Sequence, residues 1–472
     1  MQQLSTLDAA FLYLESDDSP MHIGCVLTFE APKKGQMSFF RFKRFIETRL
    51  PSSPVFRRRL ERLPFDLDRP YWIEDREFNI DNHLMQAEID GKYSSNQQSV
   101  LIDEFFSLRL NPALPLWEML YISSKDKRQG EFTVLLKIHH AAVDGVSGEK
   151  ILAALMTMDP NQAPKVTDTW SPEYPSLIRM ASNKLRALAT APKELATLTK
   201  RFSRTLELSH QLRTRDGQEQ PPYFFSAPTT PFNRKLESVR HISNAHLSLS
   251  TIKAIKNAHQ NCTVNDVVLA VCAGALRKHL ISVGELPKEP MVAMVPVSKR
   301  QGSEQHQGNL VSAMLVSLAT DIASPLERLK SIQNNASTAK EYNREIAMEE
   351  MLSHLPAWTS SWFMKAYTRL NVARLLKPIF NLVITNVPGS PYPLYLDGAK
   401  LKTMSGMAPI VEGMGLTLVV TSYMDNLTIS MTSNQTMATH MPAIINNMHA
   451  SLEELGCALL PADRKVALSA VS

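Results

Sequence analysis

Residues 131–148, EFTVLLKIHHAAVDGVSG, run an apolar stretch into a polar, glycine-containing turn. A run of this kind fits a buried strand, and the serine and glycine that follow open a stretch (149–158) with helical spacing that Ser147 could cap. A buried strand that feeds a loop and then a helix belongs to an α/β architecture. Along a strand the side chains alternate between faces. Phe132, Val134, Leu136, Ile138 and His140 therefore point one way, and Thr133, Leu135, Lys137 and His139 the other. The two histidines cannot share one cavity.

The rest of the chain repeats the same mixture. Residues 22–29 are strand-like and 39–50 carry helical spacing; 264–276 (VNDVVLAVCAGAL) are nearly all apolar, too short to span a bilayer, and fit a helix buried on most sides. Further strands are expected at 291–297, 310–318, 380–385, 416–422 and 427–432, the last two as a hairpin about 423–426. At 472 residues the chain exceeds what one core usually spans. Proline thickens over 159–176, and 218–231 lack apolar periodicity. The expected organisation is a first lobe over 1–176, a basic helical linker over 177–235 and a second lobe over 236–472. Within the linker, 177–215 hold nine Lys/Arg against two acids, with leucines at helical spacing. That segment suits a basic amphipathic helix on an anionic lipid surface, or equally a linker helix with a solvated basic face.

Composition excludes little but removes several classes. A net charge of +5 does not by itself point to nucleic acid. The four cysteines (Cys25, Cys262, Cys272, Cys457) form no C-x-x-C pair, which argues against a disulfide framework and fits a reducing compartment. No signal peptide or spanning segment is apparent, so a cytoplasmic protein, soluble or lying on a membrane or lipid inclusion, is expected. There is no G-x-S-x-G elbow, no phosphate loop and no G-x-G-x-x-G. Adjacent histidines on a strand diverge, and no further ligands accompany them, so metal binding is not expected.

What remains is acid–base chemistry. His140 ends the apolar row where the strand opens. A partly desolvated neutral imidazole there can accept a proton at neutral pH. Asp144 and Gly145 suit the turn, Asp144 as a positioning group. A base without a protein nucleophile implies direct transfer, in which an acceptor deprotonated by histidine attacks a bound activated acyl group. Asn265 and Asp266 open the apolar helix and look structural. Pro115-Leu116-Trp117 suits core packing or tunnel wall rather than chemistry. The stretch containing Trp358, Trp362, Phe363 and Met364 suits core or tunnel wall.

HHAAVDG resembles the H-H-x-x-x-D-G signature of the CoA-dependent acyltransferase superfamily. The flanks are similar to the bacterial wax ester synthase/diacylglycerol acyltransferases, a Marinobacter-type member most nearly: LSTLDAAFLYLES…MHIG (4–24), FRRRL (56–60), LPLWEM (114–119), NDVVLA (265–270), VPVSKR (295–300), GN (308–309) and TNVPG (385–389). The resemblance implies a two-lobed fold of the chloramphenicol-acetyltransferase type, each lobe a mixed sheet with helices, and a tunnel between them for acyl-CoA and a fatty alcohol or diacylglycerol. It implies that His140 is the base, that His139 supports the geometry, and that acyl-CoA is a substrate, with no cofactor. Thr385 and Asn386 are the candidate oxyanion donors. A condensation-type enzyme using carrier-protein thioesters, or a non-catalytic lipid-binding protein on the same fold, would be the alternatives.

Overall fold

A computed structural model describes residues 2–32, 35–62, 69–90, 96–126, 130–143, 148–162, 221–222, 225–298, 311–346 and 377–461. Asp144, Gly145, Ser147, the basic segment 177–215 and the aromatic stretch around Trp358 lie outside the described residues.

The short strands β1 (Gln2–Gln3), β3 (Arg58–Glu61) and β4 (Tyr71–Glu74) form a small antiparallel sheet with β4 in the middle. The first large sheet is built from β2 (His22–Glu30), β5 (Leu84–Ile89), β6 (Trp117–Ser124) and β7 (Glu131–His139). The second holds β8 (Arg240–Ser248), β9 (Val292–Ser298), β10 (Val311–Ser317), β11 (Leu382–Val387), β14 (Leu416–Tyr423) and β15 (Asn426–Asn434), in the order β10-β9-β11-β14-β15-β8. Both sheets are mixed: β5–β6, β9–β11 and β11–β14 are parallel, and their other pairs are antiparallel.

Two strands depart from chain order. The strands β12 (Tyr395–Leu396) and β13 (Ala399–Met407) complete the first sheet, whose order is β12-β13-β2-β7-β6-β5. A boundary at 235/236 therefore does not separate the two sheets. The physical reason is apolar and local. Leu396, Leu401 and Met404 bury into the first-sheet core, and β13 supplies the ladder that the edge of β2 would otherwise lack. The other side of β13 meets the second sheet. A Cβ on Gly406 would lie 2.6 Å from Val419 Cγ1, and Thr421 Oγ1 donates to the Met404 carbonyl at 3.3 Å. The lobes are tied again at β8. Asp103 accepts the Ile242 N–H at 3.0 Å and faces His241 Nδ1 at 2.8 Å, and Ser107 accepts the Arg240 N–H.

Helices that position the site are α1 (Thr6–Leu14), α2 (Phe39–Arg49), α3 (Asn96–Ser107) and α4 (Gly148–Leu155); α5 (Leu249–Ala258), α6 (Val264–Ser282), α7 (Pro325–Ile346) and α8 (Met441–Leu459) belong to the second sheet. The helix α6 is buried on most sides, as its composition requires. Its N-cap is Thr263, and Asp266 closes a capping box: Thr263 Oγ1 accepts the Asp266 N–H, and the Asp266 carboxylate accepts the Thr263 N–H at 2.8 Å. Asp266 is thus structural; Asn265, one residue earlier, is half-buried.

The turn after β11 is as tight as its proline and glycine suggest. An alanine Cβ at position 389 would stand 1.9 Å from the Ser422 carbonyl oxygen. Gly389→Ala is expected to cost about 1–3 kcal/mol by forced displacement of β14, seen as a lower urea midpoint with unchanged slope. An unchanged midpoint would contradict the close approach.

Candidate active site

The strand β7 obeys the expected alternation. Phe132, Val134, Leu136 and Ile138 enter the first-sheet core, whereas Leu135 faces the cluster under α3. The alternation ends one residue early. The strand stops at His139, and His140 begins a 3-10 turn, His140–Val143. His140 therefore does not continue the apolar row. Its N–H donates to Met21 O at 2.8 Å, and its ring stacks on Phe11 of α1, with centroids 3.9 Å apart and planes 19° from parallel. Arg58, buried beneath the turn, donates to Ala142 O at 2.6 Å while its guanidinium lies 4.4 Å over the Trp72 ring.

His139 is buried on the opposite face, 1% exposed. The Ala141 N–H donates to its Nδ1 at 3.1 Å. That leaves the ring proton on Nε2, which faces Glu15 Oε1 at 3.5 Å. Glu15 also accepts from the Met21 N–H at 3.2 Å and from Arg109 at 3.0 Å. Burial alone would raise this carboxyl; the approach of His139, with the Met21 N–H and Arg109, outweighs burial and holds it at about 2. Glu15 was not identifiable as a site residue from the sequence. Its only local mark is an acid closing an apolar helix, and two of its partners, His139 and Arg109, are distant in sequence.

Held from the ordinary 4.5 down to about 2, a carboxylate 8% exposed contributes on the order of 3 kcal/mol of stability. The sign follows from a depressed acid. The contribution is fully present above about pH 4.5 and is lost as pH falls toward 2. Glu15→Gln is expected to be less stable than wild type at pH 7, with the gap closing below pH 4.5 in thermal melts. A gap that stays constant with pH would contradict the assignment.

Beneath His139 lies a buried cation. Lys137 Nζ, 1% exposed, donates to the Phe105 and Leu108 carbonyls at 2.9 Å each and pairs with Glu118 at 2.9 Å. The first two carbonyls belong to the C-terminal end of α3, so Lys137 caps that helix from the sheet. His22, opposite His139 in the β2–β7 ladder, donates Nε2–H to Phe106 O at 3.0 Å. Burial, then the charge of Lys137, push His22 down to about 3, so it is neutral.

His140 itself is pushed down to about 4, first by burial and then by the neighbouring His139, against a smaller raising contact with its own carbonyl. Its Nδ1 is buried and makes no hydrogen bond of ordinary geometry, while the residue as a whole keeps part of its surface. A neutral, partly accessible imidazole can take a proton throughout the neutral range. Three of the four thiols are poor nucleophiles: burial pushes Cys25 and Cys272 up to about 12 and Cys262 to about 11, and the fourth, Cys457, is exposed on α8.

The oxyanion candidates divide. Thr385 pairs with Val419, and Asn386 with Val420. Val419 packs on Gly406 of β13, whereas Val420 enters the second-lobe core. Thr385, half-buried, therefore shares the face turned toward the first sheet, and Asn386, exposed near the strand end, lies on the other. The two side chains cannot serve one cavity, because neighbours within a strand point to opposite faces. Among the described residues no hydrogen bond joins either to His140. Leu116 and Trp117 are buried, with Trp117 Nε1 donating to Phe56 O at 3.1 Å, so the PLW segment is packing.

Residues 4–268 match the family model described as the wax ester synthase/diacylglycerol acyltransferase catalytic domain, and 307–456 the WS/DGAT C-terminal domain. The chain belongs to the wax ester synthase/diacylglycerol acyltransferase family. A putative diacylglycerol O-acyltransferase of Mycobacterium tuberculosis is 31% identical over 457 residues, covering 96% of this chain and 90% of its own. The O-acyltransferase WSD of Acinetobacter baylyi is 28% identical over 461 residues and 96% of each chain. The solved wax ester synthase/diacylglycerol acyltransferase from Marinobacter aquaeolei VT8 has the same fold, at TM-score 0.68 and 24% identity over 97% of this chain and 100% of that one. The first condensation domain of the calcium-dependent antibiotic synthetase shares the fold more distantly, at TM-score 0.59 and 13% identity over 98% of this chain and 97% of that one.

Proposed function

We propose that the protein is an acyl-CoA:alcohol O-acyltransferase that makes wax esters from fatty alcohols or triacylglycerol from diacylglycerol. The observation that carries this reading is His140: an imidazole held neutral in the turn that follows β7, in a member of this family. In the proposed reaction His140 takes the proton of the acceptor hydroxyl as its oxygen bonds to the thioester carbonyl carbon. Collapse of the tetrahedral species breaks the C–S bond. The proton then passes from His140 to the departing CoA sulfur, and the ring returns to its neutral state. His139 and Asp144 act on the turn rather than on the proton. Thr385 is the side chain we place at the thioester oxygen, from its face on β11.

A tunnel between the lobes, with CoA at one mouth and the acceptor at the other, is part of this proposal, as is contact of the basic segment 177–215 with a lipid surface. No helix among the described residues is long and apolar enough to cross a membrane. The deciding test is product identity. Purified protein given palmitoyl-CoA with hexadecanol, or with dipalmitoylglycerol, should yield palmityl palmitate or tripalmitin by mass spectrometry. Neither product, with turnover only of a carrier-bound thioester, would favour a condensation-type enzyme instead.

A further inference from the structure

We propose that Phe11 is a positioning residue for the transfer: its ring fixes the His140 imidazole by stacking and closes one of its faces, so the acceptor hydroxyl must come to the ring edge. This rests on the acyl-transfer reading of His140. Three observations carry it. First, among the described residues the His140 Nδ1 is buried with no hydrogen-bond partner outside its own residue. Its neighbour His139, by contrast, accepts the Ala141 N–H on Nδ1 at 3.1 Å. Second, Phe11 supplies what the hydrogen bond does not. The rings are 3.9 Å apart and near-parallel, and both residues are half-buried rather than sunk in the core. Tyr13, by comparison, packs into the first-sheet core.

Third, the helix that carries Phe11 is anchored without help from His140. Ser5 caps α1 by accepting the Asp8 N–H at 3.1 Å, and Leu4 donates to Pro70 O at 3.0 Å. At the other end Glu15 is gripped by Arg109 and the Met21 N–H. Phe11 and Glu15 are four residues apart, which puts them on one face of α1. One helix face thus serves both histidines, Phe11 on His140 and Glu15 on His139. It can do so only because His140 has left the strand; on a continued strand the two rings would point apart.

The test combines kinetics with a titration that needs no turnover. Phe11→Leu keeps the apolar volume and removes the flat face. It is expected to lower kcat about 10- to 100-fold with little change in KM for palmitoyl-CoA, and to move the acid limb of kcat/KM upward from about 4 toward the ordinary histidine range, because water reaches the ring. Phe11→Tyr should restore both. In parallel, NMR titration of labelled histidines, with the His140 signal identified by its loss in His140→Gln, should show the same upward shift. If Phe11→Leu does not fold, Phe11→Met takes its place. An unchanged midpoint, or a loss of rate that Phe11→Tyr does not rescue, would overturn the proposal. Absence of transfer by wild type to either acceptor would overturn the acyl-transfer reading itself, and with it the catalytic meaning of Phe11, whatever the titration shows.

Discussion

His140→Gln should lower acyl transfer by about 10²–10⁴-fold, the usual contribution of a positioned general base, while the melting temperature stays close to that of wild type. Glutamine keeps a polar, half-buried side chain on the turn, and the anchors of that turn are elsewhere: the His140 N–H to Met21 O, the Ala141 N–H to His139 Nδ1, and Arg58 to Ala142 O. The fold therefore has little to lose, and the reaction loses its proton acceptor. The pH profile of wild type carries the same information. A base works when it is neutral, so kcat/KM should hold across neutral pH and fall as pH drops through about 4. Normal turnover in the variant would refute the base assignment; an acid limb near the ordinary histidine value would mean that burial does not depress the His140 ring.

Lys137→Met should have the larger effect on stability. The substitution keeps the length of the chain but removes the donor from the Phe105 and Leu108 carbonyls and from Glu118. Burial lowers the Lys137 ammonium, and the Glu118 carboxylate opposes that fall. Breaking a buried pair from one side typically costs about 3–5 kcal/mol, because the partner's charge and the acceptors are left unsatisfied. We expect a fall of that size in urea-unfolding free energy. The double variant Lys137→Met, Glu118→Gln should recover part of it. A loss below about 1 kcal/mol would mean that water satisfies these carbonyls, and that the C-terminal end of α3 is not capped from the sheet.

How much of this was legible in the sequence depends on the range of the interactions concerned. The alternation of residues 132–138 and the buried helix from Val264 were readable because their periodicity is written in neighbouring residues. The exit of His140 from the strand was not, because it is set by Met21, Phe11 and Arg58 from three distant elements. The crossing of β13 into the first sheet was illegible for a related reason. Its partner β2 lies at the far end of the chain, and AKLKTMSGM has weak alternation of its own. Glu15 and Lys137 belong to the same class, since a charged residue read alone signals solvent and only its partners show that it is buried. Thr385 and Asn386 could have been separated by the rule already applied to the histidines.

The central claim is direct transfer from CoA to acceptor by a protein that forms no acyl-enzyme. The most direct measurement is a single-turnover experiment with excess enzyme and palmitoyl-CoA, quenched on the millisecond scale, with free CoA and protein-bound palmitate counted with and without hexadecanol. The account predicts no CoA release and no protein-bound palmitate until hexadecanol is present, then release of CoA and formation of ester at the same rate. Stoichiometric CoA release without acceptor, with palmitate covalently held on the protein, would contradict it.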